Sequence, residues 1–265
     1  MSKGPWGVLA VMALALASCT ATAGSGSSSA EVTVYAAASL KRVLDDVRTA
    51  YEASTPGVTL VVSTDSSAAL RTQIEQGAPV DVFLAADTKQ PQALVDAGLS
   101  TGPATPFAGN RLTIIVPTSN RAGILSPADL ARPGVRIIAA GDEVPITSYA
   151  TESVGKLGAL DGYPDAFAAS YAANIVSRED NVKAVVAKIE LGEGDAGIVY
   201  LTDAAASTGV VSVAIPDAAN VVATYAGLVV KASDRIDRAQ DFLDWLTGTD
   251  GQGILTRHGF TPPPR

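Results

Sequence analysis

Short β-branched runs alternate with stretches of helical periodicity from residue 32 almost to the C-terminus, and this alternation constrains the fold more than any other feature of the chain. Val32-Thr33-Val34-Tyr35 reads as a strand. After it Leu40, Val43, Leu44, Val47 and Tyr51 recur at helical spacing, with Ser39 at the expected N-cap. Residues 58–62 form the next strand, 68–76 a helix, and Val80-Asp81-Val82-Phe83-Leu84 a strand leading into a helix at 90–97. Serial strand-helix units imply a mostly parallel sheet covered on both faces. Beyond Pro106 the pattern restarts with strands at 112–116 and 135–139, a long helical region at 147–171, a helix at 181–191 and a strand at 196–201. A further β-branched run at 221–230 precedes an amphipathic helix marked by Phe242, Trp245 and Leu246. The expectation is an α/β protein of two lobes joined by a hinge, residues 31–108 with 222–265 forming one and 109–221 the other. No internal sequence repeat is visible.

The first residues set the compartment. Lys3, an apolar run over residues 8–17, and small residues ahead of Cys19 read as a secretory signal peptide over residues 1–18. The run is far shorter than the roughly 20 apolar residues that cross a bilayer, and no later segment qualifies. Leu16-Ala17-Ser18-Cys19 looks like a bacterial lipoprotein box, with Cys19, the single cysteine, as the lipidated N-terminus. Residues 19–30 would then be the lipidated cysteine and a flexible Ser/Gly/Ala tether. The protein is expected on the outer side of the cell membrane, touching it through the lipid alone. Without residues 1–18 the chain keeps 18 basic and 27 acidic residues, a net charge of −9. That balance argues against nucleic acid and anionic membranes as partners.

Catalytic equipment is sparse. His258 is the one histidine, so a serine hydrolase would have to use it as base, and no zinc site can be assembled. Gly192-Glu193-Gly194-Asp195-Ala196-Gly197 matches G-x-G-x-x-G, yet it follows a helix and precedes a strand, the reverse of a dinucleotide loop, and reads as a helix C-cap and turn. The acid pairs Asp45-Asp46 and Glu179-Asp180 read as solvated helix faces or helix starts. No cofactor and no direct metal ligand are expected, and the chain is read as a non-enzyme. An exported hydrolase using Ser39 or Ser67, and a structural lipoprotein, are the alternatives from other classes.

Small hydroxyl residues stand at the starts of helices. Ser39 follows Tyr35-Ala36-Ala37-Ala38, and Ser66-Ser67 follows the second strand. A helix N-terminus offers unsatisfied N–H donors and partial positive charge, an anion site that needs no Lys or Arg. Taken together, Ala36-Ala37-Ala38-Ser39-Leu40, the segment Gln73-Ile74-Glu75-Gln76-Gly77-Ala78-Pro79-Val80-Asp81-Val82-Phe83, Asn181-Val182-Lys183, Ala196-Gly197-Ile198-Val199-Tyr200 and the terminal Gly259-Phe260 resemble the periplasmic molybdate-binding proteins of ABC importers. The resemblance runs from Val32 to Thr261. It implies a two-lobed periplasmic binding protein fold with the oxyanion in the cleft, delivered to an ABC permease and its cytoplasmic ATPase by a monomeric binding protein. It further implies that Ser39 and Ser67 bind through hydroxyl and backbone N–H, Ile146 and Val182 through backbone N–H, and Tyr200 through its phenol, with Ser66 a possible addition. The ligand would be molybdate or tungstate, held by donors with no bond to the metal; phosphate or sulfate is the alternative oxyanion. Asp65 departs from the family's small residue ahead of Ser66-Ser67, and Ile146-Thr147-Ser148 is bulkier and more polar than its pattern. An inward carboxylate there would repel molybdate and could accept the proton of hydrogen phosphate; Asp65 is expected to point outward, because nothing else in the chain resembles a phosphate-binding protein.

Overall fold

The computed structural model describes residues 30–264. The expected signal peptide, Cys19 and nearly all of the tether lie outside the described residues. Two sheets organise the rest. The first has the order β2-β1-β3-β10-β4, built from β1 (Ala30–Ala37), β2 (Val58–Asp65), β3 (Val82–Ala85), β10 (Ala223–Val229) and β4 (Thr105–Asn110). Strands β1, β2 and β3 are parallel, and β10 runs antiparallel to both β3 and β4.

Residues 112–213 supply the second layer. Strands β5 (Leu112–Pro117), β8 (Gly197–Tyr200) and β9 (Val210–Val213) pair in the order β8-β5-β9, and β6 (Ile137–Ala140) pairs in parallel with β7 (Ile175–Glu179). A parallel bridge between Ile137 and Ala196, with Ile138 N–H donating to the Ala196 carbonyl at 2.9 Å, joins the two pieces. The resulting order, β7-β6-β8-β5-β9, repeats that of the first sheet, and in each sheet the one reversed strand is the one entered after a crossing. The repeat is topological and has left no trace in the sequence. Each sheet is thus mixed, with four strands running one way and one reversed, in keeping with the mostly parallel sheets expected.

Burial explains why the first sheet is covered twice. Val32, Val34 and Ala36 of β1 pack beneath Val43, Leu44, Val47 and Tyr51 of α1 (Lys41–Ser54) and Phe242, Leu243 and Leu246 of α8 (Ile236–Thr247). The Tyr51 ring meets Phe242 and Trp245 edge-on at 5.1 and 5.3 Å. On the opposite face Phe83 and Leu228 pack with Leu70 and Ile74 of α2 (Ser67–Glu75) and Leu94 of α3 (Lys89–Asp96). With strands buried on both faces, continuous runs such as Val82–Ala85 replace alternation.

The chain crosses between the sheets twice. Arg111 alone separates β4 from β5, and the return runs from Val213 to Ala223. Asn220 clamps the two crossings: its Oδ1 accepts from Leu112 N–H at 3.0 Å and its Nδ2 donates to the Leu112 carbonyl at 2.8 Å. Arg111 and Asp217 form an ion pair across the same junction.

Three expectations need correction. The helical region at 147–171 is two helices, α4 (Pro145–Gly158) and α5 (Phe167–Ala173), because Gly162, at φ +89°, and Pro164 break it. Ser39 is not an N-cap; it sits inside a 3-10 turn (Ala38–Leu40) that leads into α1, with no side-chain cap bond. Strands β4, β7 and β9 have no counterpart in the expected pattern. Pro106 and Gly109 lower the strand propensity of β4, and β9 offers only four residues. The glycine-rich segment does behave as a helix end. Helix α6 (Val182–Glu190) stops at Leu191, Gly192 takes φ +73°, and Gly192 and Glu193 N–H groups return to the Ile189 and Lys188 carbonyls.

Candidate functional site

The C-terminal ends of the parallel strands of both sheets converge, β1, β2 and β3 from one side and β6, β7 and β8 from the other. Between them lies a cavity of about 10 Å³, room for about one water. Ser39, Ser66, Ser67, Ile146, Val182 and Tyr200 all line it, so every expected site residue is brought to one place. No Lys, Arg, Asp or Glu is among the lining residues. A larger cavity of about 400 Å³ lies between α4, α5 and β6, and of the expected residues it touches only Ile146.

Local structure determines what each residue presents. Ser67 opens α2, Ile146 is the second residue of α4 and Val182 opens α6. Their N–H groups fall in first helical turns, where no intrahelical carbonyl can accept them. The apolar side chains of Ile146 and Val182 are buried in the core. Pro145 at the start of α4 presets the helical φ and has no N–H to satisfy. The hydroxyls have distinct partners. Ser66 caps α2, its Oγ accepting from Ala69 N–H at 3.2 Å; Ser67 Oγ accepts from Ala86 N–H at 3.0 Å; Ser39 Oγ lies 2.9 Å from the Tyr225 hydroxyl. The Tyr200 hydroxyl is buried with no partner among the described residues. Burial above all, with the Tyr225 phenol next, pushes Tyr200 well above the usual tyrosine range, so it remains an O–H donor.

The two departures from the family pattern are accommodated. Asp65 Oδ1 accepts from Ser66 N–H at 2.7 Å and from Asn181 Nδ2 at 3.2 Å. Asp65 lines the outer groove and not the inner cavity, which agrees with the outward orientation expected of it. Thr147 Oγ1 donates to the Ala140 and Gly141 carbonyls and Ser148 Oγ to that of Pro145, so the extra hydroxyls turn back to the backbone.

Sequence reasoning missed the layer behind these residues. Tyr225 joins Ser39 to Asn110, whose Nδ2 also donates to Thr202 Oγ1 at 2.8 Å. Lys183 Nζ stands 2.8 Å from Asp203 Oδ1, a fully buried carboxylate that burial pushes up and Lys183 pulls down. Asp87, buried beside Tyr149, is raised to about 6 by desolvation against the opposing Gln90 N–H bond. A polar Asn110 at a strand end was the one signal available. His258 bonds Asp46 of α1 at 2.7 Å and is absent from the cavity wall. Among the described residues no group of three or more His, Cys, Asp or Glu side chains is arranged to hold a metal ion, and no helix is long and apolar enough to cross a membrane.

A sequence profile for the family described as bacterial extracellular solute-binding protein matches residues 32–261. The chain belongs to this family. Among solute-binding relatives, the molybdate-binding protein ModA of Mycobacterium tuberculosis is 36% identical over 233 residues, covering 88% of this chain and 85% of the relative. ModA of Escherichia coli is 32% identical over 245 residues, covering 87% and 89%. The periplasmic molybdate-binding protein of Azotobacter vinelandii has the same two-lobed solute-binding fold, with a TM-score of 0.73 at 24% identity over 88% of this chain and 100% of that one.

Proposed function

We propose that this solute-binding protein captures molybdate, and tungstate with it, outside the cytoplasm for delivery to an ABC importer. The observation that carries the reading is the cavity wall itself: helix starts and hydroxyls from both sheets meet there with no charged side chain. A fully deprotonated tetrahedral dianion needs donors only, and helix N-termini supply them with favourable dipoles. Hydrogen phosphate brings an O–H that needs an acceptor. Asn181 Oδ1 already accepts from Ala184 N–H, and the Asp65 carboxylate lines the outer groove rather than the cavity. Sulfate is the smaller tetrahedron and would span the same donors with longer, weaker bonds.

The acting residues are Ser39, Ser67 and Tyr200 through their hydroxyls, Ser39, Ser67, Ile146 and Val182 through N–H, and Ser66 as the cap that holds α2. The two lobes, taken as residues 31–108 with 222–265 and 109–221, part to admit the ion, since the cavity holds little more than a water. Closure then strengthens each dipole by excluding solvent. His258 is engaged at Asp46 and stands away from the cavity wall. Lipidation at Cys19 keeps the protein at the membrane, where a permease and its ATPase receive the ion. Calorimetric titration of the mature chain with molybdate, tungstate, sulfate and phosphate tests the reading. Tight molybdate and tungstate binding with weak sulfate and phosphate is expected, and tight phosphate binding without molybdate would overturn it.

A further inference from the structure

The direction of the Ser39 hydroxyl hydrogen is tied to the buried side chains behind it. Asn110 and Tyr225 are fully buried. Asn110 Nδ2 lies 2.8 Å from Thr202 Oγ1 and 3.4 Å from the Tyr225 hydroxyl oxygen, and that oxygen lies 2.9 Å from Ser39 Oγ. An amide nitrogen carries two hydrogens and accepts nothing, whereas each hydroxyl has one hydrogen to give. If Nδ2 gives one hydrogen to Thr202 and one to Tyr225, the Tyr225 hydrogen is left for Ser39. Ser39 Oγ has then received a bond from behind, and its own hydrogen faces the cavity.

We propose that Asn110 and Tyr225 are positioning residues forming a one-way relay that makes Ser39 an obligate donor, thereby selecting fully deprotonated oxyanions. The inference rests on the oxyanion reading of the same cavity. Burial, with the charge of Asp203 next in weight, holds Tyr225 well above the usual tyrosine range, so the phenol hydrogen stays in place. The opposite amide orientation would reverse every bond: Tyr225 would donate to Asn110 and Ser39 to Tyr225, and the cavity would face a serine lone pair. Such a wall repels a dianion and welcomes a ligand O–H. Asn110 ends β4 immediately before the single-residue crossing, and Thr202 stands in the short helix α7 (Leu201–Ala205), so the relay is anchored from both sheets.

Asn110→Asp places an acceptor where the relay needs a donor, at nearly constant volume, and Tyr225→Phe removes the middle hydroxyl. Calorimetric titration with molybdate across neutral and mildly acidic pH, with thermal melting in parallel, reads both. Asn110→Asp is expected to lose about tenfold or more in affinity, the scale of one hydrogen bond to a charged group, and to regain part of it as falling pH protonates the new carboxyl. Tyr225→Phe should lose about tenfold without that recovery. A folded Asn110→Asp protein with wild-type affinity and pH profile overturns the relay. If Asn110→Asp does not fold, Tyr225→Phe decides alone, and undiminished affinity overturns the proposal. Should the wild-type chain bind sulfate and no molybdate, the assigned ligand fails while the relay stands to be read with sulfate, also a donor-only dianion, by the same two variants.

Discussion

Ser39, Ser66 and Ser67 carry the same hydroxyl, and their neighbours give them three different roles: relay end, helix cap, and partner of the Ala86 N–H. Ser67→Ala removes one of the proposed donors to the ion together with the Ala86 bond. Molybdate affinity should fall about ten- to hundredfold, the range of a hydrogen bond to a charged group, in the same titration, while Ser66→Ala should chiefly lower stability by about 1 kcal/mol. Asp87 is a second residue whose surroundings set its chemistry. Its carboxyl is raised to about 6, so the folded chain holds a proton between about pH 4 and pH 6 that the unfolded chain releases. Stability therefore falls as pH rises through that window, by up to about 3 kcal/mol. Denaturant unfolding across it should show a steeper decline for wild type than for Asp87→Asn. The serines were legible from the sequence as hydroxyls at helix starts, where an ordinary N-cap is the common use, and the family resemblance is what implied an oxyanion role for them. Asp87, Tyr225 and Asn110 were not, because only tertiary packing brings a strand-end amide from residue 110 against a phenol from residue 225.

Elements were legible where the period was long and the termini were marked. Helix α1 shows its buried face, Val43, Leu44, Val47 and Tyr51, directly in residue spacing. The break between α4 and α5 was written in Gly162 and Pro164 and was overridden in the expected pattern by apolar periodicity on either side. Short strands such as β9, VVSV, carry too few residues to distinguish alternation from chance. Glycines within elements divide by what surrounds them. A Cβ on Gly155, inside α4, would meet nothing within 4 Å, so Gly155→Ala should stabilise the protein by about 0.5 to 1 kcal/mol. A Cβ on Gly194 would fall 2.3 Å from Ile138 Cγ1, so Gly194→Ala should destabilise by about 1 to 3 kcal/mol. Chemical denaturation of the two variants gives opposite signs if the packing is as described.

At the scale of the whole molecule, the formal charge is −8 and the wall of the proposed anion site carries no charge, so on that reading attraction comes from local dipoles against an unfavourable overall field. Added salt should screen that field and raise the association rate modestly. Few bonds span the cleft. Asp65 to Asn181 links the start of α2 to the start of α6, and Thr224 N–H donates to the Tyr149 hydroxyl at 3.3 Å. Lys89 and Glu143 also approach to 3.8 Å, but both are largely exposed and contribute little. Asp65→Ala should therefore speed molybdate release several-fold with little change in the association rate, measured by stopped-flow displacement. The two-lobed plan was legible because the strand-helix pattern restarts after Pro106 and a β-branched run returns near the end.

The position of β10 reaches beyond binding. It is the last strand in the chain, yet it lies between β3 and β4 of the first sheet. Until residues 223–229 emerge, β3 has β1 on one side and an open edge on the other, and β4 has no strand of the first sheet beside it. The second layer is contiguous over residues 112–213 and has all its strands before β10 is made. Synthesis therefore yields a chain in which β1, β2 and β3 can pair early while β4 waits for β10. That order leaves the β3 edge and β4 unpaired for most of the time it takes to make the protein, open edges that invite aggregation if the C-terminal segment carrying β10 is truncated or late.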